Sequence, residues 1–187
     1  NNFRVVGVDL RGHGASDQLV EYDLLGNDVM ASDVVAVLDH LGIEKFSLLG
    51  HSLGGAVAIE TAVALSERVS SLVLCEAIVF YDNRKSGIER EHPLATAARR
   101  RRPVWSDRRT VQLSYGSRPP LEVLAPEALS SYIHWGFKDR EDDKVELACS
   151  PETEAIIFGA KERYGPMETF RRLTELTVPT WIIAGER

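Results

Sequence analysis

The pentapeptide Gly-His-Ser-Leu-Gly at residues 50–54 joins a short apolar run to a segment of small and apolar residues. Lys45–Leu49 has the length and character of a buried strand, and Ala56–Leu65 is apolar on most sides, as a buried helix is. A G-x-S-x-G turn between strand and helix holds its serine on a strained backbone, and small residues two positions before and after it avoid clashes. The turn therefore predicts a sheet with Ser52 raised above the carboxyl end of one strand.

The residues on either side of this turn continue the alternation of strand and helix patterns. Phe3–Val8 and Val69–Cys75 are mainly apolar runs of strand length. A helix pattern lies between the first run and the turn, with an apolar face formed by Met30, Val34, Val37, Leu38 and Leu41. Gly42 follows, at the position where glycine commonly ends a helix. Apolar strands that alternate with helices predict an α/β fold with a mostly parallel sheet and helices on both faces.

Residues 82–172 interrupt this alternation. They contain most of the prolines and the run Arg99–Arg102, and they show no buried-strand pattern. The charge balance also changes, because residues 1–83 carry 4 basic and 12 acidic side chains whereas residues 84–187 carry 18 and 16. Helical stretches are predicted at 88–101, 126–137, 152–162 and 166–173. We therefore predict three segments: an α/β core in 1–81, a mostly helical insertion in 82–172, and a return to the core in 173–187.

The composition excludes several classes of protein. The chain has 187 residues, of which 44% are hydrophobic and 27% charged, with a formal net charge of −6, as is typical of a globular domain. It has neither the roughly 18 consecutive apolar residues of a membrane span nor a secretory signal pattern. Its basic residues are not concentrated as on a nucleic-acid-binding face. We therefore expect no membrane span, no nucleic-acid partner and a cytoplasmic location.

Cysteine and glycine patterns indicate neither a metal nor a cofactor. Cys75 and Cys149 are the only cysteines, and they show no spacing typical of a zinc site or a disulfide framework. Gly12 and Gly14 lack the third glycine and the following helix of a dinucleotide-binding fingerprint. We therefore expect no metal and no cofactor.

Three segments together resemble the α/β-hydrolase superfamily. Gly50–Gly55 looks like its nucleophile elbow, and Val8–Asp17 is similar to its D-x-R-G-x-G-x-S loop, which also precedes the elbow in those proteins. Val178–Glu186 is similar to the late strand that leads to the acid of the catalytic triad. The insertion at 82–172 falls where members carry a helical cap or lid. The resemblance covers nearly the whole chain and implies an α/β-hydrolase fold with a helical cap insertion.

The resemblance also implies roles for particular residues. Ser52 corresponds to the nucleophile, and the backbone N–H of Leu53 to one donor of the oxyanion hole. Family members place a second oxyanion donor before the segment at Asn1, and the triad aspartate and histidine after Arg187. We therefore expect this sequence to be a fragment, truncated at both ends and inactive by itself. Glu76 is an alternative acid, because some relatives take theirs from the end of this strand, although a structural role is the other interpretation.

The implied activity is that of a capped, esterase- or lipase-like serine hydrolase. Ser52 would form an acyl-enzyme with a small-molecule ester or acyl substrate. Hydrolysis of C–C bonds, lactonase and perhydrolase activities share this scaffold, and some members bind ligands without catalysis. A serine at the elbow argues against relatives that use aspartate there, such as epoxide hydrolases. The sequence does not define the substrate or the oligomeric state.

Other features have alternative interpretations. The histidines are His13, His40, His51, His92 and His134. His51 adjoins Ser52 on a tight turn and cannot readily form the serine–histidine hydrogen bond, whereas a base at His92 or His134 is an alternative to a histidine after Arg187. The arginine run at Arg99–Arg102 either binds an anion or forms an ordinary solvated face. The aromatic residues of the insertion either line an acyl pocket or form a small core, and they are Trp105, Tyr115, Tyr132, Trp135 and Phe137.

Overall fold

The computed structural model describes residues 3–18, 21, 24–79, 92–159 and 166–186. The chain divides into two compact units. Residues 21–91 and 156–187 make up the parallel-sheet unit, and residues 1–20 and 92–155 make up the antiparallel-sheet unit. The predicted division at residues 81 and 172 into core and cap remains a prediction.

The described secondary structure consists of α-helices, strands and short 3-10 helices. The α-helices are α1 (Asn27–His40), α2 (Leu53–Ala64), α3 (Pro93–Arg99), α4 (Arg108–Tyr115), α5 (Pro126–Gly136), α6 (Pro151–Gly159) and α7 (Pro166–Arg172). The strands are β1 (Phe46–His51), β2 (Val69–Cys75), β3 (Val104–Trp105), β4 (Phe137–Asp139), β5 (Val145–Leu147) and β6 (Thr180–Ile183). Short 3-10 helices occupy Leu121–Val123 and Leu173–Glu175. No helix within these described ranges has the length and apolar character needed to cross a membrane.

The parallel-sheet unit contains β1, β2 and β6 in that spatial order, and both pairs are parallel. Cys75 of β2 pairs with His51 of β1 on one side and with Ile183 of β6 on the other. The carboxyl ends of the three strands therefore meet at one edge of the sheet. This arrangement confirms the predicted α/β fold with a parallel sheet.

Helix α2 packs against β1 and β2 and is buried along most of its length. Every residue from Gly55 to Ala62 is buried, and the core of the unit comprises Ala58, Ile59, Ala62, Val69, Leu72 and Leu74. Small side chains on several sides let neighbouring elements approach α2 closely, as a helix without a polar stripe requires. The predicted buried helix is confirmed, although it begins earlier, at Leu53.

Helix α1 ends as the sequence predicts. The N–H of Gly42 donates to the carbonyl oxygen of Asp39 (3.1 Å), and the N–H of Ile43 donates to that of Leu38 (2.9 Å). These two bonds form a Schellman motif, which needs a left-handed residue, and Gly42 has φ +63°. Met30 and Leu38 are buried as expected, whereas Leu41 is exposed because it lies past the last helical turn.

A buried polar chain links α1, α2 and α7. Glu60 of α2 accepts hydrogen bonds from Thr169 Oγ1 (2.7 Å) and from Arg172 Nη1 (2.9 Å) of α7. The Nδ2 of Asn27, at the start of α1, donates to the same Thr169 oxygen at 3.0 Å. Glu60, Thr169 and Asn27 are all buried. Because a buried carboxylate without partners is costly, these bonds explain how α2 accommodates one.

The antiparallel-sheet unit contains a feature that the sequence did not predict. Strands β3, β5 and β4 form a small antiparallel sheet in that order, within a segment expected to be mostly helical. These strands have two or three residues each, and polar residues alternate with the buried Phe137 and Val145. Runs this short carry no periodicity that distinguishes them from loops. The insertion therefore contains short strands for which its sequence shows no pattern, alongside its helices.

The predicted helices of this region are largely confirmed. Helices α5, α6 and α7 lie within one residue of the predicted ranges over their described parts, and α3 covers part of 88–101. Residues 88–91 and 160–162 of those predictions lie outside the described residues. Helix α4 was not predicted, and Asp107 begins it by accepting a hydrogen bond from the N–H of Thr110 at 2.7 Å.

The arginine run is engaged within the antiparallel-sheet unit. Arg99 forms a bidentate pair with Glu152, with both bonds at 2.8 Å, and Arg101 pairs with Glu154 at 2.5 Å. The Arg102 guanidinium lies 4.5 Å from the ring centroid of Trp105. These contacts favour a structural role for the arginine run over anion binding. The two partners, Glu152 and Glu154, each lie 53 residues from their arginine along the sequence.

The predicted strand at Phe3–Val8 is not formed among the described residues. Phe3 and Val5 are each 87% exposed, and no described residue pairs with this segment in a sheet. Because a strand is stabilised by cross-strand hydrogen bonds and side-chain contacts, apolar character by itself does not produce one. The strand prediction is therefore wrong for this structure.

Candidate active site

Ser52 lies between β1 and α2 on a strained backbone. Its φ of 53° and ψ of −119° place a residue with a β-carbon in a region that usually costs about 1–3 kcal/mol. Its N–H donates to the carbonyl oxygen of Cys75, and its carbonyl oxygen accepts from Gly55 and Ile78, each at 3.0 Å. These bonds hold the turn at the carboxyl edge of the sheet, which is the geometry predicted from the pentapeptide.

Close approach requires glycine at two positions near Ser52. A β-carbon on Gly50 would lie 2.2 Å from the carbonyl oxygen of Gly54, and one on Gly55 would lie 2.5 Å from the β-carbon of Ala77. A β-carbon on Gly54 would meet no atom within 4 Å. Two positions after the serine, a β-carbon would therefore fit, and the close contact that requires glycine falls on Gly55. Sequence reasoning missed this contact, since Ala77 is 22 residues away.

The Ser52 hydroxyl and the start of α2 create a site suited to negative charge. Ser52 precedes the first helical residue, Leu53, and its side chain makes no capping hydrogen bond. The first N–H groups of a helix lack acceptors within the helix, and the helix dipole favours an anion beside them. A serine hydroxyl beside the first N–H groups of a helix is an arrangement in which backbone donors could stabilise an oxyanion formed at that serine.

Glu76 lies at the same edge of the sheet, directly after β2. Its φ is +46°, and its N–H donates to the carbonyl oxygen of Ile183 at 3.0 Å. Its side-chain Oε1 accepts a hydrogen bond from the N–H of Gly185. The structure therefore brings Ser52, Leu53 and Glu76 together at one edge, but it directs the Glu76 carboxylate to the backbone that follows β6.

The histidines of the described chain make other contacts. None of them forms a hydrogen bond with Ser52 within the part of the chain that the structure describes. His92 Nδ1 accepts from the N–H of Leu94 at 3.3 Å at the start of α3, and His13 Nδ1 lies 3.1 Å from the carbonyl oxygen of Arg11. His51 and His40 are exposed at the ends of their elements, and the His134 ring packs edge-on against Trp135 with centroids 4.6 Å apart.

The segment Asp9–Asp17 forms a closed loop in the antiparallel-sheet unit. Asp9 Oδ2 accepts from the N–H of Ala15 at 2.8 Å, and Ser16 Oγ donates to the Asp9 carbonyl oxygen at 2.7 Å. Gly14 has φ +51°, and a β-carbon there would lie 2.1 Å from Asp9 Oδ2. The aspartate, glycine and serine of the D-x-R-G-x-G-x-S pattern therefore build the loop itself.

The aromatic residues of the insertion separate into two groups. Trp105 and Phe137 are buried, and their rings lie 5.8 and 6.0 Å from the ring of Tyr115, centroid to centroid, within one core. Tyr132 and Trp135 are 39% and 76% exposed. The first group therefore forms a small core, which is one of the two interpretations of these aromatic residues, whereas Trp135 lies outside that core.

The thiols and acidic groups show no metal-site geometry. Within the described ranges, no three His, Cys, Asp or Glu side chains cluster in a way that could hold a metal ion. Burial raises the pKa of the Cys149 thiol to about 12, with a further contribution from the nearby Glu154 carboxylate. A thiol that stays protonated at neutral pH is a poor nucleophile.

Comparison with known proteins gives consistent matches. The sequence model of a family described as alpha/beta hydrolase fold matches residues 1–136. The dihydrolipoyllysine-residue acetyltransferase component of the acetoin cleaving system of Cupriavidus necator is 36% identical over 180 residues, covering 88% of this chain and 46% of that protein. The AB hydrolase superfamily protein YisY of Bacillus subtilis is 35% identical over 195 residues, covering 91% and 68%.

Solved structures share the fold. The thioesterase domain from the curacin biosynthetic pathway has a TM-score of 0.70 at 18% identity, covering 95% of this chain and 63% of that structure. Matched relatives also include a 3-oxoadipate enol-lactonase of Acinetobacter baylyi and an epoxide hydrolase of Mus musculus. The matched part of this chain spans about half of the length of the Cupriavidus necator protein and about two thirds of the lengths of YisY and the thioesterase domain. The family match and the similarity to YisY show that this chain belongs to the α/β-hydrolase fold family.

Proposed function

We propose that this chain carries the nucleophile of a serine hydrolase that cleaves carboxylic ester bonds through an acyl-enzyme at Ser52. The observation that carries the proposal is the left-handed backbone of Ser52 between β1 and α2, held by Cys75 and Ile78. A strained residue persists only where its surroundings impose it, and such residues concentrate at functional sites. The names of the lactonase and thioesterase relatives support acyl chemistry on this scaffold.

The proposed reaction has two steps. Ser52 Oγ attacks the ester carbonyl carbon while a general base takes the hydroxyl proton, and the N–H of Leu53 stabilises the oxyanion that forms. Collapse of the tetrahedral intermediate breaks the bond to the alcohol, which leaves with the proton. Water then attacks the acyl-enzyme by the same route and releases the carboxylic acid and free Ser52. The base that the family resemblance implies is a histidine of the whole protein.

The test is covalent labelling of the protein expressed from the full reading frame that contains this sequence. We expect a fluorophosphonate probe to label the wild type and not Ser52→Ala, because only an activated serine reacts with it. Ser70→Ala is the matched control, since Ser70 is an exposed serine on β2 in the same unit, and this variant is expected to label like the wild type. Equal labelling of Ser52→Ala and wild type would reject Ser52 as the nucleophile.

A panel of substrates then separates the proposed activity from its alternatives. Ester hydrolysis that depends on Ser52 supports the proposal, whereas preference for a lactone, for a C–C bond beside a carbonyl, or for perhydrolysis assigns one of the related activities. A wild-type protein that is folded but neither labels nor turns over any of these substrates would indicate a non-catalytic, ligand-binding member of the family.

A further inference from the structure

The segment Cys75–Ile78 holds the backbone of Ser52 from both sides. The carbonyl oxygen of Cys75 accepts the Ser52 N–H, and the N–H of Ile78 donates to the Ser52 carbonyl oxygen, each at 3.0 Å. In the same segment, Ala77 lies where it permits only glycine at position 55. The conformation of this segment therefore determines the position of the turn that carries Ser52.

Glu76 connects this segment to the end of β6. Its N–H donates to the carbonyl oxygen of Ile183, and its carboxylate accepts from the N–H of Gly185. A β-carbon on Gly185 would lie 3.3 Å from Glu76 Oε1, which shows how closely the two approach. Residues with a β-carbon rarely adopt φ +46°, and the bonds to Ile183 and Gly185 stabilise Glu76 in this conformation.

We propose that Glu76 is a positioning residue. It anchors the segment Cys75–Ile78, which holds Ser52, and the anchor point is the backbone that follows β6. The inference rests on the proposed function of Ser52 and replaces the alternative in which Glu76 is the triad acid. The two roles need different chemistry. Anchoring needs only an oxygen that accepts the Gly185 N–H, whereas a triad acid needs a negative charge beside a histidine.

The test compares three substitutions of Glu76 in the protein expressed from the full reading frame. Glu76→Gln keeps an acceptor oxygen at the same position, and we expect kcat to fall less than about fivefold. Glu76→Ala removes the acceptor, and we expect kcat to fall roughly 10- to 100-fold with KM changed less than threefold, because small displacements of a catalytic group cost about this much. Glu76→Gly also lacks the acceptor but relieves the backbone strain, so it provides a folded variant if Glu76→Ala is unstable.

The kinetic outcomes distinguish the two roles. The amide variant of a triad carboxylate loses roughly 10⁴-fold in kcat. A loss of that size in Glu76→Gln would overturn the proposal in favour of the acid. Retention of wild-type kcat in both Glu76→Ala and Glu76→Gly, measured per labelled active site, would also overturn it.

Hydrogen exchange provides a readout that does not depend on activity. We expect the Gly185 amide to exchange slowly in wild type and Glu76→Gln, and at least tenfold faster in Glu76→Ala and Glu76→Gly. Unchanged exchange in both of those variants would contradict the anchoring bond. If the wild type shows the slow exchange but no labelling of Ser52, the proposed function fails while the anchor itself remains demonstrated, so the two failures are distinguishable.

Discussion

At the scale of single residues, the elbow depends on where the chain leaves space for a side chain. Gly50 and Gly55 have neighbours within 2.5 Å of any added β-carbon, whereas Gly54 has none within 4 Å. The G-x-S-x-G pattern therefore describes this site incompletely, because a β-carbon would fit at its second glycine, Gly54. The position at which a β-carbon would clash is the next residue, Gly55.

The first prediction contrasts the two neighbouring glycines. Gly55→Ala should lower the free energy of unfolding by about 1–3 kcal/mol, because the new methyl group overpacks against Ala77. Gly54→Ala, on the same helix, should be neutral or stabilising by up to about 1 kcal/mol, since alanine is the better helix former. Urea unfolding of the two variants measures the difference. Equal losses in both would contradict the steric explanation.

At the scale of elements, α2 is joined to α1 and α7 by buried polar contacts as well as by packing. Burial raises the pKa of Glu60, and the carboxylates of Asp28 and Glu168 add to this effect, while the bonds from Thr169 and Arg172 oppose it. Because the folded protein then binds a proton more tightly than the unfolded chain, Glu60 contributes stability at low pH. That contribution is lost as the pH rises from the ordinary value of 4.5 through the raised pKa.

The second prediction follows from this linkage. Glu60→Gln removes the titrating group and keeps an acceptor for Thr169, so the free energy of unfolding should vary less with pH just above 4.5 than it does in the wild type. Urea unfolding across that pH window measures the slope. Glu67→Gln is the control, because Glu67 is exposed and should leave the slope unchanged. An identical slope in Glu60→Gln and wild type would contradict the assignment.

Helix α1 and the antiparallel sheet differ in how well local sequence patterns predict them. The 14 residues of α1 and its Schellman ending were predictable, because helical periodicity and a C-terminal glycine are encoded in contiguous residues. The antiparallel sheet was not predictable, because its strands are short and some of its pairs are distant in sequence. Glu146 of β5 pairs with Val104 of β3 on one side and with Lys138 of β4 on the other. These residues form strands because of the neighbouring strands with which they pair, and their composition does not indicate a strand.

At the scale of the whole molecule, the described residues bring together the proposed nucleophile and the proposed oxyanion donor, and no described histidine forms a hydrogen bond with Ser52. The parallel sheet aligns the ends of β1, β2 and β6, and thereby places Ser52, Glu76 and Gly185 along one edge. Family membership adds the expectation that a base and an acid complete this edge in the whole protein.

The third prediction concerns residues 1–187 expressed by themselves. We expect no hydrolysis of a p-nitrophenyl ester above the rate of the Ser52→Ala variant of the same segment, because no histidine within the described ranges forms a hydrogen bond with Ser52. The protein from the full reading frame, assayed in parallel, serves as the positive control. Turnover by residues 1–187 that disappears in Ser52→Ala would show that the segment supplies its own base.

The sequence by itself predicted strands β1, β2 and β6, the turn at Ser52, and helices α1 and α2. Each of these depends on residues that are neighbours along the chain, where periodicity, small side chains and turn geometry act directly. Only the tertiary structure decided the use of Glu76, the need for glycine at position 55 and the partners of Glu60. Those depend on Gly185, Ala77 and Thr169, and contacts between residues so far apart in sequence leave no local pattern because they form only when the chain folds.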